Sequence, residues 1–212
     1  MKTLTHFQFQ TKTKIQNSLR NMKKINLQTG ALALIVLVAA FSRMMPHMPN
    51  FSPLGAIGLF GAAHFGKKWL AFCIPIAATW LSDLFINNVI YGAYYPTFTW
   101  FYSGFGWQYA SYLLIAGLGF LLYRSNVSVP KVLAGALGSG LIFFLVSNFG
   151  VWTSSSVYPQ NAGGLLACYA AGVPFYQGTL LGDLFYSTVL FGGYYLLQKQ
   201  VAFFKLSHLK YA

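Results

Sequence analysis

Carboxylates are almost absent from this chain. Among 212 residues there are 14 Lys and Arg but only two acidic residues, Asp83 and Asp183, and no glutamate at all. Charged residues of both signs make up 8%, against roughly 25% in a soluble domain, which excludes an ordinary water-facing globular fold. Cysteine is as scarce: Cys73 and Cys168 form no C-x-x-C or metal spacing, so they read as buried inert thiols rather than as a disulfide or zinc pair. No complete ATP-binding motif of the Walker type, Gly-x-x-x-x-Gly-Lys followed by Ser or Thr, is present, so no nucleotide cofactor is expected and any ATP-driven step needs a partner. A net charge of +12 could suit nucleic acid. Its carriers, however, crowd into the first 24 positions or stand at the ends of apolar runs, so nucleic acid is not an expected partner.

Apolar residues are plentiful, at 56% of the chain. Runs of that kind imply an all-α integral membrane protein whose partner is the lipid bilayer. Six candidate spans are read at 29–45, 54–66, 69–90, 106–123, 132–151 and 176–198. The second is short, as expected of a tilted or broken helix or of one whose end is buried in protein. The domain reading is a basic, disordered or membrane-lying tail at 1–24, a single six-helix domain at 25–200 and a basic cytoplasmic tail at 201–212. A Met-Lys-Lys at Met22 offers an alternative start, and the first span has a rival reading as a secretory signal peptide.

Placement of the basic residues orients the bundle. The leading tail, Lys67 and Lys68, Arg124 and Lys131, and Lys199, Lys205 and Lys210 fall on one side, whereas the connections 91–105 and 152–175 hold no Lys or Arg. The positive-inside rule then puts both termini in the cytoplasm. Arg43, at the outer end of the first span, is the exception. From Trp69 to Asp83 is about 21 Å of helix, and from an outer entry at Tyr176 to Asp183 about 10 Å. Both carboxylates therefore belong to the outer half.

Other polar residues converge there, namely Arg43, His47, Asn50, Asn87 and Asn148. A carboxylate in a lipid-embedded helix costs about 2.5–3.5 kcal/mol on insertion scales, so such residues face a bundle interior or a watery cavity. Each Asp could hold helices together, with Arg43 as partner, or line a ligand or ion site. The two lie in a partial repeat: Pro75 and Pro174 precede them, and Tyr91-Gly92 and Phe191-Gly192 follow at identical offsets, as in transporters built from inverted halves. The connection YGAYYPTFTWFYSGFGW at 91–107, with Trp100 at its centre, is aromatic enough to cover a ligand as well as to anchor an interface.

The stretch RMMPHMPNFSPLGAIGLFGAAHFGKKWLAFCIPIAATWLSDLF at 43–85 resembles the signature of an uncharacterised group of six-span bacterial membrane proteins. That group is similar to the S-components of energy-coupling-factor (ECF) vitamin transporters, including the cobalamin-specific ones. The resemblance implies an S-component-like bundle in the bacterial inner membrane that captures a vitamin-like micronutrient on its extracytoplasmic side, with a transmembrane coupling protein and ATPases as further partners. The Ala-x-x-x-Ala pattern usual in the first span of S-components is not formed by Ala31, Ala33, Ala39 and Ala40, which puts a shared coupling module in doubt. Were the ligand a corrinoid, His47 or Cys168 would be the candidate cobalt ligand; otherwise no metal is expected.

The expected function is thus a substrate-binding membrane component, with Arg43, His47, Asn50, Asp83, Asn87, Trp100, Asn148 and Asp183 orienting the ligand and no catalytic residue. One alternative is a scaffold of envelope assembly with a structural polar cluster. The other is an intramembrane aspartyl protease, whose Gly-x-Gly-Asp hallmark is here Leu180-Leu181-Gly182-Asp183 and lacks the first glycine.

Overall fold

The computed structural model describes residue 16 and residues 27–201, over which the chain is helical. The two expected tails and the alternative start at Met22 fall almost wholly outside these residues. Helix α1 covers 27–41 and closes in a 3-10 turn at Ser42–Met44. Then come α2 (Leu54–His64), α3 (Lys68–Phe85), α4 (Phe105–Leu122), α5 (Val129–Ser154), α6 (Ala162–Ser187) and α7 (Gly193–Gln200). A π-helical turn extends α3 over Ile86–Ile90, and another joins α6 to α7 over Thr188–Gly192.

Five segments are long and apolar enough to cross a membrane: Leu27–Met44, Lys68–Ile90, Phe105–Leu122, Val129–Ser154 and Ala162–Gln200. Their outer faces carry exposed apolar side chains. On α5, Leu133, Leu137, Leu141 and Leu145 recur one helical turn apart and are all exposed, a stripe suited to lipid and not to water. The chain is a multi-pass helical membrane protein. Each of the six expected runs contains a helix, although α2, at 11 residues, is only about 16 Å long.

Helix α2 is the hub. All its residues from Leu54 to Ala63 are buried, and α3, α4, α5 and α6 pack around it. In an apolar solvent the driving force is close packing. Gly58 and Ala62, small residues one turn apart on α2, meet α4: a Cβ at Gly119 would come 2.7 Å from that of Ala62. Gly61 likewise lets the Pro75 ring of α3 approach. Leu32, Val36, Ala39 and Ala40 bury one face of α1 in the same core, so α1 packs as a member of the bundle.

Residues 152–175 differ from expectation. They were read as an outer connection with the last span starting at Tyr176, yet helix resumes at Ala162. Asn161 caps it by accepting a 2.9 Å hydrogen bond from the Gly164 N–H. Gly163, Gly164, Gly172 and Pro174 look like loop residues, but Gly172 gives α5 room to pack, since a Cβ there would overlap Asn148, and Gly164 lets the Pro159 carbonyl approach the first turn of α6. Counted from the opposite end, Gln200 to Asp183 is about 26 Å and Lys68 to Asp83 about 22 Å, so the equal depth of the two carboxylates survives the change.

Candidate functional site

The two carboxylates have different jobs. Arg43, in the 3-10 turn closing α1, donates through Nη1 to Asp83 Oδ1 of α3 at 2.6 Å and to Ser82 Oγ at 3.0 Å. Tyr109 of α4 donates its hydroxyl to Asp83 Oδ2 at 2.8 Å. Ser82 in turn donates to the Thr79 carbonyl at 2.8 Å. Three helices are tied through one carboxylate, both oxygens of which are engaged. Arg43 thus pairs with Asp83, and its charge is compensated.

Asp183 sits at the N-terminus of α2. That end has no side-chain cap of its own, because Pro53 occupies the cap position. The Ala56 N–H donates to the Asp183 carboxylate instead, satisfying one of the orphan donors of the first turn and placing negative charge at the positive end of the helix. Gly55 is required by this approach, since a Cβ there would overlap both Asp183 Oδ1 and the Ser139 hydroxyl. Ser139 stands beside the carboxylate without closing a well-formed hydrogen bond, and Asp183 Oδ2 has no partner among the described residues. Both side chains are nearly inaccessible, at 2% for Asp183 and 0% for Ser139.

The chain reaches this point by folding back after α1. Residues 45–53 carry Pro46, Pro49 and Pro53, and Asn50 adopts a left-handed φ of 60°. This irregular segment lies against a glycine face of α6, where a Cβ at Gly178 would overlap the Pro49 carbonyl and one at Gly182 would come 2.7 Å from the Ser52 nitrogen.

A cavity of about 180 Å³ opens beside Asp183. Arg43, His47, Asn50 and Asp183 of the expected site line it, together with Ser139 and Gln108, which sequence reasoning missed. Apolar walls come from Ile86, Ile115 and Phe143. A neighbouring cavity of about 190 Å³ shares Asn50, Gln108, Phe143 and Thr179 and is lined by Asn148. Three expected residues do not line either cavity. Asp83 lies behind Arg43, Asn87 is buried in the π turn, and Trp100 stacks on Trp80 at 6.3 Å with its carbonyl accepting the indole N–H. The aromatic connection is instead pinned to α3 by Asn88, which exchanges hydrogen bonds with the Thr99 backbone at 2.6 and 2.9 Å.

The two candidate cobalt ligands, His47 in the lining of the first cavity and buried Cys168, both face backbone carbonyls. Both His47 ring nitrogens face backbone carbonyls, of Met48 at 2.8 Å and Arg43 at 3.1 Å. The Cys168 thiol lies 3.3 Å from the Asn148 carbonyl, and no cluster of three His, Cys, Asp or Glu occurs among the described residues.

The profile of a family of unknown function (DUF6580) matches residues 23–206. No curated protein and no solved structure matches the chain.

Proposed function

Starting from its membership of this family of unknown function, we propose that the chain is a substrate-binding membrane component for uptake of a small vitamin-like micronutrient. The observation carrying the reading is a cavity with polar groups in its lining inside a membrane bundle, with Asp183 in its wall and one oxygen of that carboxylate buried without a partner among the described residues. Intramembrane ionisable residues that face a cavity are typical of substrate and ion pathways. The cavity lies toward the end of the bundle whose connections hold no Lys or Arg, which favours entry from the extracytoplasmic side of a bacterial inner membrane with both termini cytoplasmic. On this reading α2 is the sixth, partial span of an S-component-like bundle, and a coupling protein with ATPases supplies energy.

Size argues against a corrinoid. Even taken together the two cavities sit at the low end of the roughly 300–1,000 Å³ of drug-sized sites, and a corrinoid is larger than a drug-sized molecule. The small-molecule reading is preferred to the protease alternative, whose catalytic dyad needs two carboxylates that share one proton. Here both oxygens of Asp83 are held by Arg43 and Tyr109. A purely structural scaffold accounts for Asp83 but leaves Asp183 Oδ2 unexplained.

Purified protein analysed by mass spectrometry is expected to carry a small organic molecule at near-stoichiometric amount. Repeated recovery of empty protein that also binds nothing from a panel of vitamins and precursors would remove the proposal.

A further inference from the structure

We propose that the cavity recognises its ligand through an N–H donor head, a protonated amine or the N–H of a nitrogen heterocycle, seated on Asp183 Oδ2 and Ser139 Oγ. The inference rests on the small-molecule reading above and narrows its chemistry.

Charge comes first. Arg43 and Asp183 both line the cavity, but Arg43 is neutralised by Asp83 at 2.6 Å, so it does not cancel Asp183. The Ala56 N–H holds the Asp183 carboxylate from the α2 side, and Oδ2, buried beside the cavity that Asp183 lines, has no partner among the described residues. A buried carboxylate oxygen left unpaired is costly, and a donor supplied from within the cavity removes that cost. The Ser139 hydroxyl is unpartnered at the same place, ready to accept from the same head or to donate to a neighbouring atom of the ligand. An anionic head there would meet Asp183 and be repelled. Acceptor groups elsewhere on the ligand have Arg43, Asn50 and Gln108 within the lining, and Ile86, Ile115 and Phe143 cover its body. As to size, an apolar cavity of about 150 Å³ admits benzene. A cavity of about 180 Å³ therefore suits one ring and a short substituent.

Gly140 provides a clean test. A Cβ there would sit 3.6 Å from Asp183 Oδ2 and 3.5 Å from the Tyr176 ring, ordinary contact distances, so Gly140→Ala crowds the head site without disturbing packing. The full chain in nanodiscs is titrated with benzylammonium, benzyl alcohol and benzoate, and thermal unfolding is followed. Benzylammonium is expected to raise Tm by several degrees, benzyl alcohol less, and benzoate not at all. Gly140→Ala and Ser139→Ala should keep the unliganded Tm within a few degrees while weakening benzylammonium by about 10- to 100-fold, the value of a hydrogen bond to a charged group. A preference for benzoate, or benzylammonium binding untouched by both variants, overturns the head-group assignment. If a native ligand co-purifies equally with wild type and both variants, uptake stands and the assignment falls. If nothing co-purifies and no probe binds, both fall together.

Discussion

Removing Arg43 should expose how much of the bundle hangs on one ion pair. Arg43→Met deletes the 2.6 Å contact to Asp83 and the 3.0 Å contact to Ser82, and leaves a carboxylate only 7% exposed with Tyr109 as its remaining donor. Breaking a buried pair by removing one partner costs about 3–5 kcal/mol, because the surviving charge stays desolvated. Arg43 retains 17% exposure, which lets water reach the vacated side, so the lower end applies. A loss of about 3 kcal/mol is expected, roughly a 100-fold shift in the folding equilibrium. Arg43→Met with Asp83→Leu removes both charges and should recover most of that loss, since buried pairs exchanged for apolar residues are often neutral. The assay is reversible denaturation in mixed micelles for wild type, both single variants and the double variant. Additive single effects, or a cost for Arg43→Met below about 1 kcal/mol, would refute the claim that Asp83 is held by this pair.

Other expectations follow from the same geometry. Gly178→Ala forces a Cβ onto the Pro49 carbonyl and should destabilise the bundle by about 1–3 kcal/mol, measured in the same micelle assay. Asn161→Ala removes the cap of α6 and should cost about 1 kcal/mol, with no change in ligand affinity. Trp100→Ala lies outside both cavities, so binding of a co-purified ligand should stay within about 2-fold of wild type by calorimetry. Cysteines placed at exposed Tyr94 and Ser125 should react with an impermeant maleimide from opposite faces of sealed vesicles, Tyr94→Cys from outside; labelling of both from one face would overturn the topology.

Composition and apolar runs made the helical membrane class and the six helical segments legible, because burial in lipid writes itself as length and hydropathy. The shortness of α2 was visible too, but it left a tilted, a broken or a protein-buried helix open, and only the packing of α3 to α6 around it decides for burial. The start of α6 was not: glycines that serve helix packing look the same in sequence as glycines that break helices, and only the approach of α5 distinguishes Gly172 from a loop residue. Of the site, Arg43, His47, Asn50 and Asp183 were found by charge and depth, and all line the first cavity. Asn87 and Trp100 were chosen by proximity in sequence to Asp83 or by aromatic density, and the fold turns them elsewhere. Ser139 and Gln108 were invisible because a lone hydroxyl or amide in a long apolar helix is ordinary. The pairing of Arg43 with Asp83 and not Asp183 depended on tertiary geometry that spacing does not encode.

The partial repeat has a physical counterpart in the two π turns, Ile86–Ile90 after Asp83 and Thr188–Gly192 after Asp183, each a place where a helix bearing a carboxylate loosens by one residue. The shortness of α2 has a different consequence. Its neighbours run 18 residues or more where α2 has 11. Roughly 10 Å of a central rod is missing from the middle of the bundle, and the irregular strand 45–53 refills that shaft only in part. The cavity beside Asp183, walled by α3 to α6, is therefore the space left over where α2 starts late. Lengthening α2 backward by two turns would convert the protein into a closed bundle, so the depth at which α2 begins sets the size of the cavity.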